Sequence, residues 1–198
     1  MSTPRPLPLL GSAPAERSDA ARNRERLLEA AQRLIREHGV DHLTMEALAA
    51  EAGVGKGTVF RRFGSRAGLM AAVLDFSEAE WQGAVMGGPP PLGPGAPPWE
   101  RLVAFGRARL ERVLEATDLI RAAGFSDARS MTVQSFGTLH VRYLLAELDT
   151  PGDLPLLATA LLAPLEQPVL YRQVTLEGLE VDRIHAAWVD LAGRVVGR

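Results

Sequence analysis

Apolar residues recur every three or four positions along this 198-residue chain, which is the spacing of one buried face of an α-helix. The first such pattern begins after Ser18 or Asp19, either of which can cap a helix, and we expect Gly39 to end it. The apolar positions of this predicted first helix are Leu27, Leu28, Ala31, Leu34 and Ile35.

Two shorter helices are predicted next, on either side of a turn at Gly53. Thr44 is expected to cap the first of them, over residues 45–52. Glycine adopts the left-handed conformation that ends a helix, so the chain can turn at Gly53 and start again near residue 55 or 56. The second short helix then runs to about Phe63.

The predicted helix that ends at Phe63 has a glycine on its outer face. On a helical wheel Val59 and Phe63 point toward a core, whereas Gly57, Phe60 and Arg61 lie on or near the opposite face. A glycine inside a helix costs roughly 0.5–1 kcal/mol relative to alanine. That cost is easier to understand if another molecule approaches this face closely.

The rest of the chain is predicted to be helical as well, with no alternating strand pattern and no internal repeat. Proline and glycine dominate residues 87–98, which we expect to form a loop. The fold is therefore predicted to be all-α. The further predicted helices cover residues 66–85, 99–120, 129–148 and 153–163, a proline-broken continuation over 164–176, and 181–196.

Two short helices joined by a tight glycine turn, with a longer helix before them, form a helix-turn-helix motif, whose second helix lies in the DNA major groove. The small Ala49, the turn at Gly53 and the inward Val59 have the spacing that this motif needs. We therefore predict a disordered arm at residues 1–17, a three-helix DNA-binding head at 18–64, and a larger helical body at 65–198 that a fourth helix joins to the head.

Charge is divided unevenly along the chain, although its net value is only −2. Residues 1–70 hold 11 basic and 8 acidic residues, whereas residues 71–198 hold 11 basic and 16 acidic residues. Such asymmetry indicates a basic functional head on an acidic body. A chance division of solvated surface charge is the alternative.

Composition excludes several kinds of site. The chain has no cysteine, which excludes disulfide frameworks and thiolate-based metal or nucleophile sites. Its four histidines do not pair with carboxylates at metal-ligand spacing. The stretch GVGKGT lacks the Ser or Thr that follows Gly-Lys in a phosphate-binding P-loop. We expect no catalytic site, no metal and no cofactor.

Hydropathy favours a soluble protein. The chain is 46% hydrophobic, which is enough for a globular core. No apolar run approaches the ~18 uninterrupted residues of a membrane span, and prolines interrupt the N-terminal region where a signal peptide has its apolar helix. We expect a cytoplasmic protein.

The segment from about Arg22 to Leu74, which includes RLLEAAQRLIREHGVDHLTMEALAAEAGVGKGTVFRRFGSRAGLM, resembles the tetracycline-repressor (TetR) family of bacterial regulators. It is similar to the first four helices of that family in their order and spacing. The resemblance implies a DNA-binding head followed by a divergent ligand-binding and dimerising body. The remainder of the chain matches only in helical character and length.

The resemblance also implies which residues contact DNA. Thr44, at the start of the second helix, is expected to face a phosphate. Arg or Lys bound to guanine O6 and N7 is the commonest specific base contact, and a threonine methyl suits thymine. The positions carried over on the recognition helix are Lys56, Gly57, Thr58, Phe60 and Arg61, with Arg62 as a further candidate for base recognition.

Three residues depart from the family pattern. Gly55 stands where serine is common, Phe60 replaces a usual tyrosine, and Arg66 replaces a common phosphate-binding lysine. Phe60 can pack on a sugar but cannot donate a hydrogen bond, whereas Arg66 still supplies a charge to a phosphate. Each basic or polar residue of this set, taken singly, can also be ordinary solvated surface.

The helical body is predicted to hold a small ligand, because few polar groups stand among its apolar positions. His140 and Tyr143 are candidates to anchor a polar group of that ligand, although satisfied core residues are the alternative. The candidate ligand-binding residues are Phe105, Arg109, Phe136, His140 and Tyr143.

Two apolar stripes in the last third of the chain indicate a homodimer. They lie on the helices predicted at 153–163 and 181–196, and two such helices fit a four-helix interface around a two-fold axis. Packing within one chain is the alternative. The interface candidates are Leu157, Leu161, Ile184, Trp188, Leu191 and Val195.

Together these patterns predict a homodimeric, ligand-responsive transcriptional regulator, most simply a repressor, that binds a pseudo-palindromic operator through two recognition helices about 34 Å apart. A small-molecule effector in the body is expected to favour a dimer whose heads are wrongly spaced, with the fourth helix as the lever. The alternative from another class is a helical small-molecule-binding or catalytic protein with a vestigial DNA-binding head.

Overall fold

A computed structural model describes residues 15–123 and 130–198 of the chain, with side chains over residues 21–121 and 136–198. Over these residues the chain forms helices and no strand, as the periodic apolar pattern predicts. The helices are α1 (Ala15–His38), α2 (Met45–Glu51), α3 (Lys56–Phe63), α4 (Arg66–Gly87), α5 (Pro98–Ala123), α6 (Ser130–Glu147), α7 (Leu154–Leu162), α8 (Gln167–Tyr171) and α9 (Val181–Val195).

Helix α1 begins at Ala15, earlier than the predicted start at Ser18 or Asp19. Gly39 follows its last residue with φ +84°, and the Gly39 N–H donates to the carbonyl of Ile35, so the predicted end of the helix is confirmed. Residues 1–14 of the predicted arm lie outside the described residues.

The turn between α2 and α3 has the predicted cap and the predicted glycine conformation. The Thr44 hydroxyl oxygen accepts a hydrogen bond of 3.0 Å from the N–H of Ala47, which satisfies a donor in the first turn of α2. Gly53 follows α2 with φ +64°, a conformation that favours glycine. The next N–H, that of Val54, donates to the carbonyl of Ala49, and the chain then enters α3.

The described residues up to Leu69 form one compact unit, and those from Met70 form a second. Helix α4 begins in the first unit and continues in the second. In the first unit α2 packs against both α1 and α3. The large apolar side chains buried in this unit are Leu27, Leu28, Leu34, Leu43, Met45, Leu48, Val59, Phe63 and Leu69.

The core of the second unit is built from α4 to α9. Trp188 of α9 is 3% exposed, and its Nε1–H donates to the carbonyl of Leu161 at 2.7 Å, which ties α9 to the end of α7. The Trp188 ring also lies against the backbone of Gly106 in α5. Other large side chains of this core are Trp81, Val85, Leu102, Phe105, Leu110, Leu144, Leu145, Leu165 and Ile184.

Prolines divide the segment between α7 and the last turn before α9. A 3₁₀ turn (Ala163–Leu165) and α8 each contain a proline among their first residues, and a π-helical turn (Arg172–Leu176) follows α8. Because proline has no N–H to donate, a continuous helix would lose hydrogen bonds here. The predicted proline-broken continuation is confirmed.

The same segment, Leu154–Leu176, is long and apolar enough to cross a membrane by length and composition alone. In the structure it is divided into shorter helical pieces, and several of its side chains are buried in the core of the second unit. The segment therefore contributes part of its side chains to the core of the second unit. The buried side chains are Ala158, Leu161, Leu162, Leu165 and Leu170.

Candidate nucleic-acid interface

Helix α3 is held in place by its inward side chains. Val59 is fully buried and Phe63 is 8% exposed, so both enter the core of the first unit as the helical wheel predicts. The opposite face, which carries Gly57, Phe60 and Arg61, is exposed, as predicted. The amphipathic pattern therefore directs a single face of α3 to solvent.

The exposed face of α3 has bare backbone at Gly57. A Cβ built on this glycine would have no atom within 4 Å, so packing inside the chain does not require glycine at this position. Phe60, one turn further on, is 41% exposed although it is a large apolar side chain. Neither the glycine at position 57 nor the exposed Phe60 ring stabilises a helix that faces only water. Both are favourable on a surface that another molecule covers closely, because the glycine permits close approach and the ring is removed from water.

Positive charge is concentrated on this short helix. The sequence KGTVFRRF holds Lys56, Arg61 and Arg62 and no acidic residue, and all three basic side chains are exposed. Arg61 Nη2 donates to the Thr58 hydroxyl at 3.4 Å, which aligns two side chains on adjoining turns. A guanidinium has a planar set of donors that suits guanine O6 and N7, and a basic helix attracts the phosphate backbone.

Lys56 has a partner that the sequence analysis did not identify. Its ammonium forms an ion pair with the carboxylate of Glu46 in the first turn of α2, and it lies 5.6 Å from the centre of the Phe60 ring. The hydrogen bond from Lys56 lowers the pKa of Glu46 below its ordinary value. The feature of the sequence that could have indicated this pair is the opposite charge of two residues on either side of one turn.

Thr44 caps α2 through its hydroxyl oxygen, and the hydroxyl hydrogen remains available as a donor. The oxygen accepts from Ala47, and the hydroxyl hydrogen can still be donated to a phosphate oxygen. Thr44 is half-buried, so part of the residue remains exposed. This arrangement is compatible with the predicted phosphate contact.

Arg66 is used inside the first unit. Its Nε donates to the carbonyl of Leu43 at 3.1 Å and its Nη2 to the carbonyl of Val40 at 3.4 Å. The side chain is partly buried and links the start of α4 to the connection between α1 and α2. The structure thus gives Arg66 a positioning role, and its contact with a phosphate stays a prediction.

The predicted ligand-binding residues of the second unit separate into an inner group and an outer one. Phe105, Phe136 and His140 pack ring against ring, with His140 centred 5.0 Å from Phe105 and 6.2 Å from Phe136. Arg109 is 3% exposed and donates to Glu166 at 2.9 Å. Arg109 and Phe105 both lie close to Gly137, so these four residues share one region, in which Phe136 is half-buried and the others are buried.

Tyr143 lies on the surface instead. It is 49% exposed and lines a groove of about 620 Å³ with residues of α6 and the start of α7, although its ring centre is still 6.4 Å from that of His140. Of the five predicted residues, Tyr143 is the one among the described residues that line this groove.

Burial sets the protonation state of His140. Its side chain is 7% exposed, and loss of hydration, with a smaller effect of the nearby Arg101 charge, lowers its pKa to about 4. Its Nε2 has no hydrogen-bond partner among the described residues, and the same is true of Trp81 Nε1 and Arg109 Nε. The buried region therefore contains polar atoms that a bound molecule can satisfy.

The assignment of three residues to a dimer interface is corrected by the structure. Leu161, Ile184 and Trp188 are 1%, 7% and 3% exposed within the single chain, so they belong to its core and leave almost no surface for a partner. Leu191 is 39% exposed, and Leu157 and Val195 are half-buried. For these last three the interface assignment stays a prediction.

The model of the family described as bacterial regulatory proteins, tetR family, matches residues 27–73 of the chain. An HTH-type transcriptional regulator of Staphylococcus aureus (strain USA300) is 40% identical over 58 residues, which are 29% of this chain and 31% of that protein. The chain thus spans about a third of the length of the curated relatives it matches.

Similarity in fold extends beyond this segment. A TetR transcriptional regulator of Streptomyces coelicolor is 26% identical with a TM-score of 0.59, covering 84% of this chain and 96% of that one. A proposed transcriptional regulator of Saccharomonospora viridis, solved in complex with choline, is 20% identical with a TM-score of 0.54, covering 86% of this chain and 95% of that one.

Proposed function

Residues 27–73 of this chain belong to the tetR family of bacterial regulatory proteins, and from this premise we propose that the protein is a DNA-binding transcriptional regulator. The observation that carries the proposal is the exposed face of α3, where Gly57, Phe60 and Arg61 lie together while Val59 and Phe63 anchor the helix from behind. Such a helix can enter the major groove with its backbone close to the bases.

In this proposal each residue of the interface has a distinct role. Lys56 and Arg61 contact guanine, the methyl group of Thr58 contacts thymine, and Phe60 packs on sugar. Thr44 donates its hydroxyl hydrogen to a phosphate. Gly57 allows the close approach, and Arg62 and Arg66 add positive charge beside the backbone.

We further propose that the regulator is a homodimer and binds a pseudo-palindromic operator. One short helix touches only a few base pairs, so two copies with their recognition helices about 34 Å apart are needed for a specific site. Exposed apolar side chains on α7 and α9, Leu156 and Leu191, support a self-complementary surface on the second unit. Sedimentation of the purified chain tests this, with Leu191→Glu as the variant expected to shift the mass toward a monomer.

A ligand-responsive repressor is the form of regulation that we propose. The fold is shared with a protein solved in complex with choline, and the buried region of the second unit has polar atoms without partners among the described residues. A small molecule that satisfies those atoms in only one dimer state shifts the population toward that state. The action is cytoplasmic and non-enzymatic in this proposal.

The test of the proposed function is selection of bound fragments from genomic DNA at moderate salt, followed by affinity measurements across a salt series. A DNA-binding regulator yields a recurrent motif, and its affinity falls steeply as salt rises. Arg61→Ala should cost about 1–3 kcal/mol and relax preference at one operator position. Arg121→Ala, an exposed arginine of α5, is the matched control and should bind like the wild type.

Two outcomes would contradict the proposal. Selection that returns no enriched fragment, with affinity insensitive to salt, favours the rival small-molecule-binding or catalytic protein. Equal losses for Arg61→Ala and Arg121→Ala would show that the exposed face of α3 is not the recognition surface.

A further inference from the structure

A carboxylate lies among the basic groups of the proposed DNA-binding surface. Glu46 in α2 and Lys56 in α3 form an ion pair across the turn, and each side chain is 57% exposed. Lys56 is also the only lysine in the chain, and its ammonium lies over the ring of Phe60. The ion pair is therefore on the exposed side of the turn, next to the face of α3 that carries Gly57.

This arrangement is unfavourable for binding DNA without regard to sequence. The hydrogen bond from Lys56 keeps the pKa of Glu46 below its ordinary value, so the carboxylate is ionised at neutral pH. An ionised carboxylate repels phosphates and competes with them for the ammonium. A surface selected only for attraction to the backbone has no use for such a group beside its lysine.

The positions of Lys56 and Glu46 match the hydrogen-bonding groups of a G·C base pair. In the major groove G·C presents two neighbouring acceptors, guanine N7 and O6, and then a donor, the cytosine N4 amino group. A lysine matches the acceptors, and a glutamate accepts from the cytosine amino group. An A·T pair places acceptors on both sides of its single donor, so a carboxylate there faces an acceptor as well.

We propose that Glu46 is a specificity-determining residue, which holds Lys56 away from phosphates and joins it in recognising one G·C pair. Lys56 donates to the guanine, and Glu46 accepts from the cytosine. The inference rests on the proposed function, because it concerns which sequences the same surface accepts.

The first test uses Glu46→Gln with Glu51→Gln as its matched control. Glu51 is also in α2 and pairs with Arg33 at 3.3 Å, so the control makes the same chemical change at the far end of the same helix. On a duplex that lacks the selected operator, Glu46→Gln should bind about three- to tenfold more tightly at low salt, and the slope of log affinity against log salt should steepen by about 0.9. Glu51→Gln should match the wild type in both measurements.

The second test repeats the DNA selection with Glu46→Gln. Glutamine pairs with adenine N6 and N7, so one G·C position of each half-site should change toward A·T. The operator-to-random affinity ratio should fall, because binding to random duplex rises while the cognate contact is lost. An unchanged motif together with an unchanged ratio would overturn the proposal.

A double-variant cycle shows whether Glu46 acts through Lys56. In a Lys56→Met background, Glu46→Gln should weaken discrimination at the G·C position less than it does with Lys56 present, because the ion pair no longer positions the carboxylate, although loss of phosphate repulsion persists. The same loss of discrimination with and without Lys56 would overturn the joint recognition. If the wild type selects an operator and Glu46→Gln behaves like Glu51→Gln, only this inference is disproved. If the wild type selects no operator, the proposed function is disproved.

Discussion

Trp188 packs its ring against the backbone of Gly106, in the space that a side chain at residue 106 would occupy. The glycine is in the middle of α5 and is buried, and the tryptophan is the central aromatic residue of α9. The contact brings two helices of the second unit closer than any larger residue at 106 permits. Glycine is therefore required here for packing between helices.

Gly106→Ala should destabilise the chain by about 1–3 kcal/mol, because the new methyl group collides with a buried ring that has no space to move into. Chemical denaturation monitored by circular dichroism measures the change. Gly83→Ala in α4 is the matched control: residue 83 is exposed and has open space around a Cβ, so alanine there should be neutral or stabilising. Similar stability of the two variants would contradict the close packing at Gly106.

Gly57→Ala should separate stability from DNA binding. Since nothing lies within 4 Å of a Cβ at this position, alanine should raise the free energy of unfolding by roughly 0.5–1 kcal/mol. Operator affinity should fall about tenfold, within the ~1–3 kcal/mol that one recognition contact is worth. Fluorescence anisotropy with a labelled operator provides the measurement, and Gly83→Ala, the same substitution at an exposed position of α4, should retain affinity. Full affinity for Gly57→Ala would show that DNA does not approach this backbone closely.

The two members of the Arg109–Glu166 ion pair should respond unequally to substitution. Arg109 is 3% exposed and Glu166 is 28% exposed, so removal of the carboxylate leaves a charge that water cannot reach. Glu166→Ala should cost about 3 kcal/mol. Arg109→Met should cost less, because the remaining carboxylate gains hydration and the methionine refills the core.

Urea denaturation of both variants tests this order. Asp190→Ala, which breaks an exposed ion pair with Arg194, is the control and should change stability by under about 1 kcal/mol. A larger loss for Arg109→Met than for Glu166→Ala would contradict the assignment of the buried charge to Arg109.

Stability should depend on pH through His140. Its pKa is about 4 in the folded chain against an ordinary value of 6.5. Between these two values the unfolded chain holds a proton that the folded chain does not, so the free energy of unfolding falls as pH drops from 6.5 toward 4. His140→Phe should remove this part of the pH dependence, on the order of 2–3 kcal/mol.

Thermal unfolding of wild type and His140→Phe at several pH values between 4 and 7 makes the comparison. Parallel curves for the wild type and His140→Phe would show that His140 is not the buried titrating group.

Local signals predicted most of the first unit. Thr44 and Gly53 have side-chain and backbone preferences that act within a few residues, so the cap and the turn were visible in the sequence. The helical wheel predicted that Val59 is buried and Gly57 is exposed, because a helix of eight residues packs one face against a core. The Glu46–Lys56 pair was not found, because it depends on how two helices approach each other.

The second unit was less predictable, because apolar periodicity does not say what covers an apolar face. Burial is non-directional, so a stripe such as Ile184 and Trp188 is the same whether its partner is the chain itself or a second copy. Tyr143 and His140 are three residues apart on α6, and yet one is half exposed and the other is buried. Only the packing of neighbouring helices decides between those two environments.

The hydrogen bond from Trp188 to the Leu161 carbonyl joins α9 to the C-terminal end of α7. Carbonyls at the C-terminal end of a helix lack intrahelical donors, and this one lies in an apolar interior. A chain shortened before α9 would lose this donor and would expose the apolar side chains that Trp188 covers. C-terminal trimming that reaches into α9 should therefore destabilise the second unit.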